Sequence, residues 1–169
     1  AGAVAAPTAG LHLSHELLEQ CRLRRLGIEK VTLHVGLGTF RPIGARRLDD
    51  HVMHSEWCRL TPEVSTTLNT VRHAGGRIVA VGTTVVRTLE SSIDGRRLLP
   101  FDGWTDLFIR PGHRFPAVDA LLTNFHLPRS TLFIMICAFC GLELAREAYA
   151  RAIADCYRFY SYGDAMLIL

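Results

Sequence analysis

The stretch RIVAVGTTVVRTLESS, residues 77–92, decides how this chain is organised. Its first six residues read as a short buried strand that closes on Gly82, and Thr83-Thr84 opens a helix that runs to about Ser92. A strand, a small turn and a helix start in that order leave free backbone amides and threonine hydroxyls at one place, suited to an anion or a carboxylate. Such turns are common, so the stretch fixes architecture more firmly than ligand.

Working outward, the same alternation continues in both directions. Ser14 caps a first helix with Leu17, Leu18, Cys21 and Leu26 as its apolar face, and Gly27 is expected to end it. Residues 28–35 read as a strand with Val31, Leu33 and Val35 on one side, followed by the glycine-rich loop GLGTFRPIG at 36–44, whose spacing matches neither a dinucleotide fingerprint nor a P-loop. Thr61-Pro62-Glu63 is a helix start with a cap, a proline at the first position and an acid in the first turn, and that helix runs to about His73 before Gly75-Gly76. Further along, residues 105–109 and 119–123 read as strands, closed by Arg110-Pro111-Gly112 and by the segment from Asn124 to Pro128. Ser130 caps a helix that Gly141 breaks, residues 143–157 form an amphipathic helix, and residues 165–169 form a last strand. The expectation is an α/β fold in one domain spanning 1–169, with a parallel or mixed sheet flanked by helices in a partial, barrel-like arrangement. Right-handed crossovers would bring the loops at Gly36, Thr83, Pro111 and Asn124 to one edge, around a shared pocket.

Composition sets the outer limits. With 169 residues, 49% of them hydrophobic and 21% charged, the chain fits one soluble domain with a sizeable core. No apolar run approaches the ~18 residues of a membrane span, and the opening AGAVAAPTAG has neither the basic start nor the long apolar centre of a secretory signal, so a cytoplasmic location is expected. The five cysteines are odd in number and sit mostly in apolar or helical patterns, which favours reduced, packed thiols over disulfides. Cys137 and Cys140 form a CxxC inside an apolar helix without a second ligand pair, so no metal site is expected. The net charge is only +3, but Lys30 is the sole lysine, and the arginine-rich basic set leaves phosphate or nucleic-acid partners open beside ordinary surface charge.

Six polar clusters stand at the ends of apolar runs: VAAPTAGLH (4–12), LHVGLGTFRP (33–42), HVMHSEW (51–57), VGTTVVRTLES (81–91), LLTNFHLPRST (121–131) and YRFYSYGDAML (157–167). Taken together they resemble the second half of the S-adenosylmethionine:tRNA ribosyltransferase-isomerases of queuosine biosynthesis, over nearly the whole chain. The resemblance implies transfer and isomerisation of the ribosyl group of S-adenosylmethionine onto 7-aminomethyl-7-deazaguanine in a GUN-type tRNA anticodon. The product is epoxyqueuosine-tRNA, and adenine and methionine leave. S-adenosylmethionine is then a consumed co-substrate, with no cofactor and no metal, and the partners are that tRNA and S-adenosylmethionine, without a membrane, on a protein monomeric in its family. The family's preceding half, with an inserted smaller domain, has no counterpart in these 169 residues.

That chemistry asks for a base that removes a proton next to the sulfonium, stabilisation of the separated charge, a hydrogen bond or proton for the leaving adenine, and a hold on the unstacked anticodon base. His34, His54, Glu56, His126 and Asp164 are the candidate acids and bases, of which Glu56, His126, His34 and Asp164 are carried forward as catalytic. Gly36, Gly38, Thr39, Phe40, Thr83, Thr84, Arg87, Asn124, Phe125 and Tyr162 are the candidate substrate contacts, with Asn124 and His126 straddling Phe125 as a hold for nucleobase edges. For Arg87 the alternative is an ion pair with Glu90 or Glu56. Arg41, Arg129 and Arg158 are candidates for tRNA phosphates.

Two positions depart from the family pattern. Val85 stands where serine is expected in GTTSVRTLES, which removes a hydroxyl near the Thr83 turn, and His113 stands where tyrosine is usual after Pro-Gly. Two other readings stay open. One is a noncatalytic tRNA-binding or scaffold fragment of the same family; the other is a different α/β enzyme that acts on a phosphorylated or nucleoside ligand and uses the Thr83-Thr84 helix start as an anion site.

Overall fold

Local capping sets the helices. In the computed structural model, which describes residues 6, 8–36 and 42–169, the Ser14 hydroxyl accepts from the Leu17 N–H at 3.2 Å and starts helix α1 (His15–Leu23). Thr61 does the same for Val64 at the head of α2 (Pro62–His73), and Ser130 for Phe133 at the head of α4 (Thr131–Cys140). Gly82, at φ +100°, turns the chain from strand β3 (Val79–Val81) into α3 (Thr83–Ser91), a conformation that disfavours any residue with a Cβ. Gly141, at φ +88°, separates α4 from α5 (Leu142–Ala154).

Strands β1 (Thr32–His34), β2 (Glu56–Leu60) and β6 (Phe101–Thr105) form an antiparallel sheet in the order β1-β2-β6. A second sheet has the order β3-β7-β8, in which β7 (Ala120–Asn124) runs parallel to β3 and antiparallel to β8 (Ala165–Ile168). A two-stranded hairpin, β4 (Ile93–Asp94) with β5 (Arg97–Leu98), follows α3. Helix α3 lies against both sheets, and the core joins Leu60 of β2, Ala80 of β3, Val86 and Leu89 of α3, Leu121 of β7 and Ile136 of α4. The fold is therefore mixed α/β with helices against small sheets, as expected, and its described strands do not close into a barrel.

Three expectations are corrected. Helix α1 ends at Leu23 rather than at Gly27, because Arg25 takes the left-handed conformation at φ 60° and the Arg24 and Arg25 amides turn back onto the last helical carbonyls. Of its expected apolar face, Leu18 and Cys21 are half-buried, Leu17 is 44% exposed, and Leu26, beyond the helix, is 57% exposed. Residues 106–109 are not a strand; strand β6 ends at Thr105. The Thr105 and Leu107 carbonyls accept from the Arg87 guanidinium and the Leu107 N–H donates to the Thr105 hydroxyl, so this backbone is satisfied by side chains. The Pro111 turn lies by the other end of α3, where His113 meets Glu90, and takes no part in the pocket at the head of that helix.

Candidate functional site

The carboxyl end of β7, the head of α3 and the inner face of β1 enclose a cavity of ≈ 300 Å³. Its apolar wall comes from Val31, Leu33 and Val35, from Val81 and Val85, and from Leu132 at the start of α4. Its polar groups include Thr32 of β1, Thr83 and Thr84 from the helix head, Thr123, Asn124 and His126 from the end of β7, and Tyr160 and Ser161 from a 3-10 turn before β8. A 3-10 turn at Thr8–His12 closes the near side with Thr8, Ala9 and Gly10. No described lining residue carries a carboxylate, a lysine or an arginine.

Asn124 ties three segments together. Its Nδ2 donates to the Tyr160 and Gly163 carbonyls, each at 3.3 Å, and lies 3.2 Å from His12 Nε2. Glycine at 163 is required there, since a Cβ would stand 2.4 Å from the Arg158 carbonyl oxygen. His126 is fixed on two sides: its Nε2 lies 3.0 Å from the Thr123 hydroxyl, and its backbone N–H donates to the Tyr149 hydroxyl at 2.9 Å. Burial pushes the His126 imidazole down to about 4, and burial pushes the Tyr149 phenol up to about 12. At neutral pH His126 is therefore an uncharged imidazole, able to offer or accept a hydrogen bond but holding no extra proton to donate.

Behind the cavity lies a buried ion pair. Glu56 and Arg87 are each 1% exposed and bonded to one another, and Glu56 Oε1 accepts from the Gly36 N–H at 2.8 Å. Arg87 Nε and the other terminal nitrogen reach the Leu107 and Thr105 carbonyls at 3.3 Å. The pair clamps the start of the glycine-rich loop to β2, α3 and the segment after β6. This is the ion-pair alternative for Arg87, with Glu56 as the partner.

The expected site residues divide accordingly. Thr83, Thr84, Asn124 and His126 come together in the cavity wall, with Gly36 beside it on the Glu56 clamp. Glu56 and Arg87 stand behind the wall. His34 is exposed on the outer face of β1, its ring 4.7 Å from that of Trp57 on the neighbouring strand, and His54 is exposed as well. Phe125 is buried among Tyr149, Tyr157 and Phe159 rather than presented to a ligand. Tyr162 is 94% exposed. Arg158 bonds Asp164 through its backbone N–H at 2.8 Å and its guanidinium at 3.1 Å, contacts that hold the Asp164 carboxyl below its usual range. Arg129 is exposed at φ 59°. Gly38, Thr39, Phe40 and Arg41 lie outside the described residues. The TAGLH turn and Thr123 also line the cavity without having been singled out; the one signal for them was that each lies inside a polar cluster at the end of an apolar run.

Comparison with known proteins decides the family. The family model described as queuosine biosynthesis protein matches residues 1–168. The chain belongs to the queuosine biosynthesis protein family. It is 59% identical over 168 residues to the S-adenosylmethionine:tRNA ribosyltransferase-isomerase of Beijerinckia indica subsp. indica, covering 99% of this chain and 46% of that protein. It is 55% identical over 169 residues to the protein of the same name from Symbiobacterium thermophilum, covering 99% of this chain and 50% of that one. Among solved structures, the S-adenosylmethionine tRNA ribosyltransferase from Thermotoga maritima superposes with a TM-score of 0.80 at 44% identity, over 95% of this chain and 51% of that chain. The chain thus spans about half the length of the relatives it matches. Among the described residues no helix is long and apolar enough to cross a membrane, and no cluster of three or more His, Cys, Asp or Glu side chains is placed to hold a metal.

Proposed function

We propose that this chain carries the S-adenosylmethionine half of a tRNA ribosyltransferase-isomerase site, acting in the cytoplasm on a GUN-type tRNA that bears 7-aminomethyl-7-deazaguanine. The observation that carries the reading is the coincidence of one cavity with five of the six polar clusters by which the chain resembles its family: the TAGLH turn, the β1 end, the Thr83 turn, the Asn124–His126 segment and the Tyr160–Ser161 turn all supply its wall. The described residues of the lining carry no charged side chain, which suits a nucleoside better than a phosphate and favours the former over a phosphate at the Thr83-Thr84 turn.

In this account the cavity holds the adenosyl group with its ribose toward the head of α3, where the Thr83 and Thr84 hydroxyls and the turn amides meet sugar oxygens. His126, neutral and dry, orients the ligand by hydrogen bonding and stands as the uncharged base for the proton beside the sulfonium. Glu56 and Arg87 act through Gly36 by fixing the loop that follows β1, and Asp164 and Arg158 act by closing the turn that carries Tyr160 and Ser161. S-adenosylmethionine is consumed rather than kept, and the reading requires no metal. The exposed Arg129 and Arg158, with Arg41, are the residues of this chain assigned to tRNA phosphates.

The test is release of adenine and methionine from S-adenosylmethionine by the purified chain with tRNA carrying the 7-aminomethyl-7-deazaguanine base, run beside a full-length relative. Release that depends on the modified tRNA supports an active half. No release, with the relative active, means that the rest of the relatives' length is needed for turnover, and binding of the tRNA without release then supports the noncatalytic fragment.

A further inference from the structure

The turn between α5 and β8 has a backbone that its own packing does not explain. Tyr160 takes the left-handed conformation at φ 71°, uncommon for a residue with a Cβ, and Gly163 leaves no room for one. Hydrogen bonds fix the turn in this form. The Tyr160 N–H donates to the Phe125 carbonyl and the Asp164 N–H to the Arg158 carbonyl, each at 2.8 Å, and Asn124 Nδ2 reaches the Tyr160 and Gly163 carbonyls. What this frame displays is Tyr162, 94% exposed and directly after Tyr160 and Ser161 of the cavity wall. A braced backbone thus holds an aromatic ring in solvent beside the cavity.

Tyr160 also lines a smaller cleft of ≈ 60 Å³, together with Leu127, Pro128 and Ser130. That loop carries Arg129, which is exposed and takes part in no ion pair among the described residues. An aromatic face on one segment and an unneutralised guanidinium on the segment that shares its cleft are complementary to single-stranded RNA, in which a base stacks and a phosphate carries the negative charge.

We infer that Tyr162 is a stacking platform for an unpaired nucleobase of the RNA, on a nucleotide next to the one being modified. This rests on the proposed action on a tRNA anticodon and gives this chain a contact to the flanking loop. The ring stands outside the cavity wall, so the base that it takes is not the one that reacts there. Every base has a π face, so Tyr162 adds affinity and fixes the position of the loop without choosing sequence.

The test is fluorescence anisotropy of a labelled hairpin RNA whose loop carries a GUN anticodon, titrated with the intact 169-residue chain. The RNA is used intact and with the base removed from the nucleotide on one or the other side of the first anticodon position. Tyr162→Ala is expected to bind the intact RNA about ten-fold more weakly than wild type, and Tyr162→Phe to bind as wild type does. Trp104→Ala, which removes another exposed aromatic away from the cavity, is expected to leave affinity unchanged. With one of the two abasic RNAs, wild type and Tyr162→Ala are expected to bind alike. Circular dichroism and melting of each variant should match wild type, since both rings are exposed. Wild-type affinity in Tyr162→Ala overturns the inference and leaves the ring to a protein surface. An equal loss in Tyr162→Phe, a Tyr162→Ala loss that persists in both abasic RNAs, or no binding of the intact RNA by wild type also overturns it. Adenine release from S-adenosylmethionine with the modified tRNA, assayed on the same preparation, separates the two levels. Release without a Tyr162 effect leaves the proposed function standing and removes this inference, whereas a Tyr162 effect that one abasic RNA abolishes, without release, does the reverse.

Discussion

Glu56 and Arg87 are bonded to each other with both side chains 1% exposed, joining strand β2 to helix α3 directly behind the cavity. Two charges removed from water are tolerable only as a pair with further hydrogen bonds. Here Gly36 supplies one to Glu56, and the Thr105 and Leu107 carbonyls accept from Arg87. Removing either partner leaves an uncompensated buried charge. Glu56→Ala is expected to lower stability by about 3–5 kcal/mol in urea denaturation. The double variant Glu56→Leu with Arg87→Met is expected to cost less than the sum of the two single changes. Additive losses would mean that the two side chains are not coupled.

Tyr149 supports His126 from below. Its hydroxyl is the acceptor for the His126 backbone N–H, and its ring packs on Phe125, Phe133 and Phe159. Tyr149→Phe keeps the packing and strands that buried N–H, so a loss of about 1–3 kcal/mol is expected in thermal or denaturant melts. An unchanged melt would show that the N–H finds another partner.

His126 gives the fold a defined acid sensitivity. Its folded value, about 4, lies below the ordinary 6.5, so below 6.5 the unfolded chain takes up a proton that the folded chain refuses. The stability associated with the neutral imidazole is therefore present above 6.5 and is lost as pH falls toward 4, by roughly 3 kcal/mol across that window. His126→Gln should flatten the pH dependence of stability between 6.5 and 4, measured by denaturation at a series of pH values. A slope the same as wild type would place the titrating group elsewhere.

The thiols are expected to differ in reactivity. Cys58 is 0% exposed and Cys137 6%, and burial pushes both thiols up, whereas Cys156 is exposed. A chromogenic disulfide reagent at neutral pH should label Cys156 rapidly and Cys58 and Cys137 only after unfolding. Rapid native labelling of Cys137 would contradict its place in the core.

The helix heads were legible in the sequence because capping is local: Ser14, Thr61 and Ser130 each bond an amide three residues on, and Gly82 and Gly141 mark the turns with positive φ. The pairing of β2 with β1 and β6 was not, since Trp57 meets His34 and Trp104 across distant parts of the chain and nothing local specifies those partners. The same limit explains the candidate site. Asn124, Thr83 and Thr84 stand at the carboxyl end of a strand or at a helix head, where position alone points to a pocket. Whether His34 faces the cavity or the solvent depends on strand register, and it faces the solvent beside Trp57. Phe125 shares its loop with two cavity residues, yet its ring turns into the aromatic core, a choice set by Tyr149, Tyr157 and Phe159 from later in the chain.

The central claim, that the cavity at the heads of α3 and α4 is the S-adenosylmethionine site, is tested most directly by calorimetric titration of the chain with S-adenosylmethionine. Wild type, Val85→Phe in the cavity wall and Trp104→Ala on the outer face of the antiparallel sheet would be compared, Trp104 being 70% exposed and outside the wall. The account predicts saturable binding at one site, weakened at least ten-fold by Val85→Phe and unchanged by Trp104→Ala. No saturable binding, or binding that Val85→Phe leaves intact, would contradict it.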